Sequence, residues 1–189
     1  MSAMTDQDVR EKYGLRDKPH GIRLAILMVL VIIGLVFNVI GFVMQDLPAF
    51  QKAAVVLGFI TYLLIIGYAV YGYKKEKIFF NAIVAAYIFE LLLTGVFVWQ
   101  NSGAIRGKSV AVMGFIVAAA NILFLTKYDS NPDHAEKLLY AAFILEIVNV
   151  LYVLIVFHSL WPNPLIMALA ILVIYKSRNV RRQVREGKV

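Results

Sequence analysis

A chain of 189 residues that is 61% apolar and only 16% charged is far more hydrophobic than a soluble domain, which averages about half apolar and a quarter charged. It contains no cysteine, so disulfide frameworks, thiolate metal sites, cysteine nucleophiles and palmitoylation are excluded together. The net charge of +7 gathers at the ends of apolar runs, which excludes nucleic acid as its reason and assigns it to membrane topology.

Residues 1–21 form a polar N-terminal arm, expected to be solvated and to help fix topology. Crossing hydrocarbon takes roughly 20 mostly apolar residues per helix. Six runs qualify: Ile22 to Met44, Ala53 to Tyr73, Ile78 to Trp99, Val110 to Tyr128, Leu138 to Phe157 and, shortest, Pro164 to Tyr175. The first is too long for a signal-peptide core and lacks a small-residue cleavage site, so it reads as a retained helix. Pro19, Pro48, Pro132, Pro162 and Pro164 all fall in loops or at helix starts, which predicts unbroken helices. The loops are short and leave no room for a soluble domain. Residues 176–189 form a basic tail in which Val180 and Val184 stand four apart among Arg178, Arg181, Arg182 and Arg185. Those four arginines are expected to contact the headgroups of an anionic inner leaflet.

These elements make an all-α integral membrane protein, a six-helix transmembrane bundle over residues 22–175. Sixteen of the lysines and arginines fall in the two termini and the even-numbered loops, against Lys52, Arg106 and Lys108 in the odd ones. The positive-inside rule then places both termini in the cytoplasm, in the cell (plasma) membrane. Trp99 and Trp161 fall at the outer ends of the spans and Tyr71, Tyr73, Tyr128 and Tyr175 at the inner ends, where such rings are expected to anchor at headgroup level.

An internal repeat is also expected. Ala85-Ala86-Tyr87-Ile88-Phe89-Glu90 recurs as Ala141-Ala142-Phe143-Ile144-Leu145-Glu146, and Lys52 to Ile60 matches Lys108 to Ile116 in five of nine positions, both at an offset of 56. Fixed-period self-similarity marks repeat architecture. Three parallel tandem hairpins, over about residues 22–73, 78–128 and 138–175, follow from that register.

Glu90 and Glu146 sit near the middle of two apolar runs. A carboxyl in a span is costly to hold charged and is usually turned toward protein or water, which makes it the default functional candidate. Residues three and four apart share a helix face. Glu90 thus shares one with Ala82, Ala86 and Thr94, and Glu146 with Ala142 and Asn149; the fourth helix offers Gly114, Ala118 and Asn121, and the first Gly34, Asn38 and Gly41. Small residues permit close approach and polar side chains bond across it. Glu90, Glu146, Asn121, Asn149, Thr94 and Asn38 are therefore expected to form an intramembrane polar cluster on the bundle axis. No lysine or arginine lies at that depth, so at least one glutamate is expected to be protonated at neutral pH and to donate to Asn121, Asn149, Thr94 or its counterpart.

The loop Asp129 to Glu136 opens like a calcium loop but has His134 and Tyr140 where the motif needs glycine and glutamate. Asp133 followed by Glu136 instead fits a capping box opening the fifth helix. His158 is expected simply to lie at the outer rim. No nucleophile elbow, zinc-protease helix, P-loop or dinucleotide fingerprint occurs. No enzyme activity, catalytic residue, cofactor or metal site is expected.

The run Val31 to Phe37 with Gly34, then Gly41, then Val55 to Ile60 with Gly58, and Gly67, resembles the glycine-punctuated hairpin of the HdeD-like family of short-repeat bacterial membrane proteins. The resemblance covers the first two hairpins and implies a stress-associated membrane protein without catalysis. In helix number the chain also resembles the substrate-binding subunits of energy-coupling-factor vitamin transporters. The expected function is a non-enzymatic accessory or stress-related membrane protein with a buried polar cluster. The alternative is a proton- or cation-coupled small-solute transporter, or a substrate-binding subunit of one. The bilayer is its first partner; a second membrane protein or another copy of the chain are further candidates.

Overall fold

The computed structural model describes residues 21–44, 49–71, 76–103, 105–158 and 162–185. The N-terminal arm, Tyr73, Trp161, the surroundings of Gly41 and the side chains of Tyr71, Arg181, Arg182 and Arg185 lie outside what it describes. The regular structure among the described residues is six helices: α1 Gly21–Met44, α2 Ala49–Tyr71, α3 Glu76–Asn101, α4 Ile105–Lys127, α5 Pro132–Phe157 and α6 Asn163–Arg185. Four are long and apolar enough to cross a membrane, over Lys52–Val70, Glu76–Asn101, Ile105–Lys127 and Pro132–Ile155, and α1 carries a shorter apolar helix, Ala25–Ile40. The protein is thus an all-α, multi-pass membrane protein.

Side-chain pairings fix the alternating direction of the helices. Asn38, late in α1, meets Asn163 at the start of α6. Tyr68, late in α2, donates to Glu76 at the start of α3 at 3.2 Å. Ser109, early in α4, shares a 2.9 Å hydrogen bond with Tyr152, late in α5. Tyr175 in the second half of α6 donates to the Pro132 carbonyl that opens α5, at 3.2 Å. The starts of α2, α4 and α6 therefore share one end of the bundle with the finishes of α1, α3 and α5. The start of α1 and the finish of α6 share the other.

Each helix packs on its neighbours in sequence, α6 returns to α1, and α6 also crosses onto α3. The closest packing joins α2 to α3, α3 to α4 and α4 to α5. Two of those three contacts run between the expected hairpins, so packing does not divide the chain into three units.

One end of the bundle is held by rings. Phe80 of α3 meets Phe124 of α4 edge to face at 5.9 Å and Tyr128 at 5.5 Å, and Phe124 meets Tyr175 of α6 edge to face at 5.3 Å. Tyr128 and Tyr175 are buried here, so neither is the exposed headgroup anchor that its sequence position suggests. The reason lies in α6, which continues unbroken past Tyr175 to Arg185. Arg178 lies 4.7 Å over the Tyr128 ring and 5.5 Å over Phe80, and caps the cluster.

Polar contacts secure the same end. Asp129 takes Lys77 at 2.7 Å and Arg178 at 3.4 Å. Glu136 pairs with Lys176 and accepts from Asn179 at 3.3 Å; the hydrogen bonds that Lys176 donates to Glu136 and to the Tyr140 hydroxyl hold its ammonium above its usual range. Glu136 is thereby unavailable for a capping box. The N-cap of α5 is Asn131, whose side chain accepts from the His134 amide at 3.2 Å, with Pro132 in the first turn. Proline there gives up an amide that would have no helical partner anyway.

Between α1 and α2 the approach is closer than any Cβ allows. A methyl on Gly34 would strike the Tyr62 phenol, whose hydroxyl donates to Asn163 at 3.0 Å. Gly34→Val should lower stability by about 1–3 kcal/mol, the usual cost of overpacking. A detergent unfolding series would measure it. Combined with Tyr62→Ala, the loss should be smaller than the sum of the two single losses, because one change removes what the other strikes.

Candidate functional site

Glu90 stands on α3 and Glu146 on α5, 4% and 0% exposed. Both line one cavity of about 260 Å³. Its walls come from the half of each helix nearest the end opposite the rings: the start of α2 with Ala54 and Val55, the second half of α3, the start of α4, the second half of α5, and Pro164 of α6. The helical period builds each wall. Glu90, Thr94 and Val98 lie on one face of α3; Glu146, Asn149 and Val153 on one face of α5; Val110 and Gly114 on one face of α4. A Cβ on Gly114 would stand 4.0 Å from the Leu91 carbonyl, an ordinary contact, so an alanine would also fit where α4 lies against α3 beside the carboxyls.

The two carboxyls are near enough for their charges to act on each other. Tyr87, one turn before Glu90, and Asn149 lie beside the Glu146 carboxyl. None of these closes a hydrogen bond of normal geometry. Glu90 Oε2, Glu146 Oε1 and Oε2, Asn149 Oδ1 and the Tyr87 hydroxyl are all buried without a partner among the described residues. Most buried polar groups do have partners, so five orphans in one place call for a reason.

The expected cluster therefore divides. Glu90, Glu146, Asn149 and Thr94 share the cavity. Asn121 is buried but turned back on its own helix, donating to the Val117 carbonyl at 2.9 Å, and does not line the cavity. Asn38 belongs to a second group between α1, α2 and α6, where it accepts from Asn163, itself the acceptor for Tyr62. Gly58 makes room for it, since a Cβ there would come 2.7 Å from Asn38 Nδ2. Tyr62 is also within electrostatic reach of Glu90.

Three of these participants, Tyr62, Tyr87 and Asn163, escape a reading of the sequence alone. The signal available was position. Tyr62 and Tyr87 fall in mid-span, away from the rims where tyrosine is expected as an anchor, and each has a hydroxyl that needs a partner there.

Arg178 is turned onto the rings and Asp129, its side chain 19% exposed, and one of its nitrogens is buried. His158 is exposed, ends α5 in the left-handed region at φ 52° and does not line the cavity. Trp99 is half exposed at the cavity end, with Lys108 5.3 Å over its ring. Among the described residues no three His, Cys, Asp or Glu converge. The cavity's polar groups are oxygen donors of the kind that hold hard cations and ammonium groups.

Fold and site together define a multi-pass membrane protein with an acidic internal cavity. No protein-family model, curated protein or solved structure matches the chain.

Proposed function

We propose that this protein is a non-enzymatic carrier, or the substrate-binding subunit of one, that loads a proton or a small cation at Glu90 and Glu146. The observation that carries this reading is the convergence of two buried carboxyls on a single cavity, with Glu90 Oε2 and both Glu146 oxygens lacking a partner among the described residues. A structural polar cluster would spend those acceptors on neighbouring helices. Ionisable groups kept inside a bundle and left free are those that carriers use.

The reading includes six membrane crossings with both termini cytoplasmic in the cell membrane. It is supported by the side on which the charges fall. Lys77, Lys127, Lys137, Lys176 and Arg178 belong to the ring-lined end, and Lys52, Arg106 and Lys108 to the cavity end. The positive-inside rule then turns the cavity toward the outer face.

The test is labelling by dicyclohexylcarbodiimide in liposomes, read by mass spectrometry across a pH series. The reagent enters apolar sites and modifies the protonated carboxyl. Glu90 and Glu146 should both be labelled, with labelling lost as rising pH ionises them. The charged and titratable groups facing the pair are Tyr87 and Tyr62, neither of which is a cation that would mask the titration. Failure to label either glutamate at any pH, in folded protein, would favour the accessory, stress-related reading implied by the HdeD-like resemblance.

A further inference from the structure

The orphaned atoms that line the cavity are of one kind. With the carboxyls ionised, Glu90 Oε2, Glu146 Oε1 and Oε2 and Asn149 Oδ1 are all acceptors. A ligand that satisfies them must bring donors and need bring no acceptor, and an ammonium group has three donors and no lone pair. The lining includes no lysine, arginine or histidine, so nothing there would compensate the charge of an anion.

The polar atoms are also grouped. They come from α3 and α5, while Val55, Phe97, Val98, Val110 and Val153 give the remaining wall an apolar surface. A sugar or polyol, with hydroxyls on every side, would bury several of them against those side chains unpaired, at about 1–3 kcal/mol each. A molecule with one charged end and an apolar body matches the division.

Size separates an organic cation from a metal ion. Calcium takes six to eight oxygens at about 2.3–2.6 Å, in a close cage. This cavity measures about 260 Å³, and among the described residues no three metal-binding side chains converge. An apolar cavity of about 150 Å³ accepts benzene. The volume here has room for one ring and a short chain, and Phe97 gives that ring an aromatic side chain to pack against.

We propose that the cavity binds a small primary ammonium ion with an apolar body no larger than a ring and a two-carbon chain, its nitrogen between Glu90, Glu146 and Asn149. This rests on the carrier reading and narrows its ligand from any small cation to an organic one.

The test uses tritiated phenethylamine and the full chain in lipid nanodiscs, alongside carbodiimide labelling of the same preparation. Saturable binding is expected. Bound label should fall about ten-fold when unlabelled phenethylammonium is present at roughly ten times its Kd. 2-Phenylethanol, phenylacetate and sodium ion should leave it unchanged. Glu90→Gln and Glu146→Gln should each abolish it, and Val153→Trp, which fills the apolar wall, should abolish it in protein whose circular dichroism and thermal midpoint show it to be folded.

Protein that takes carbodiimide at both glutamates but binds no phenethylammonium would overturn the organic-cation assignment and leave the carrier reading standing. So would competition by 2-phenylethanol or sodium ion equal to that by the amine. Protein that takes no carbodiimide and binds no amine would overturn both. Should Val153→Trp fail to fold, the comparison of competitors on the unaltered chain still decides.

Discussion

Replacing Glu90 and Glu146 together by glutamine is expected to raise the temperature at which the protein unfolds in detergent while removing its capacity to take up a cation. The two effects share one cause. Each carboxyl is held at 4% exposure or less with at least one oxygen lacking a partner, and a buried polar atom left unpaired costs about 1–3 kcal/mol. Glutamine keeps the shape, removes the charge and adds an amide that can donate to Asn149 Oδ1 or to the opposite side chain. For a chain of 189 residues, each kcal/mol regained moves the midpoint by roughly 2–4 °C. Thermal unfolding followed by circular dichroism, together with ligand binding on the same sample, would read both effects. A lower midpoint in the double variant would mean that the carboxyls hold helices together, and the carrier reading would lose its basis. Stability gained with function lost is the pattern expected where a site is kept strained for its chemistry.

Phe124→Ala is expected to cost about 3–5 kcal/mol, the usual range for deleting a buried phenylalanine. The ring is fully buried and meets Phe80, Tyr128 and Tyr175 at 5.3–5.9 Å. Each such pair contributes about 0.5–1.5 kcal/mol beyond area burial. Helices in lipid have no hydrophobic drive to associate and depend on packing of this kind, so the loss should appear as separation of α4 from α3 and α6. Chemical unfolding in mixed micelles would measure it, with Phe124→Leu losing a smaller share because it restores most of the volume. Amine binding well below the new midpoint should be unchanged, since the rings and the cavity occupy opposite ends of the bundle and distant sites add independently.

Much of this arrangement was legible in the chain. The apolar runs locate the helices, and carboxyls in the middle of two of them locate the cavity, because hydrocarbon leaves a charged group few directions in which to point. The face shared by Glu90 and Thr94, and that shared by Glu146 and Asn149, survive folding unchanged. What sequence could not carry was partner choice across helices. Asn38 and Glu90 look alike as buried polar residues in small-residue stripes, yet Asn38 is drawn to Asn163 by the return of α6 onto α1. Asn121 has an acceptor on its own helix at 2.9 Å and needs no neighbour. Arg178 follows a rule of long-range order too. Read along the chain it is one of four arginines in a basic tail, and only the rings of α3 and α4 give it a surface to lie on.

The continuity of α6 has a mechanical consequence. Its 23 residues run without a break from Asn163, beside Pro164 at the cavity wall, to Arg185, a rod of roughly 34 Å at 1.5 Å per residue. Few helical rods of this length bend sharply without a proline or bulge to do it, and Pro164 stands at its very start. The near end touches the cavity; the far half is fastened through Lys176, Arg178 and Asn179 to α5 and the turn before it. A tilt imposed at one end is geometrically a displacement at the other, so a spectroscopic probe on the last turn of α6 would register occupancy of a cavity it never touches.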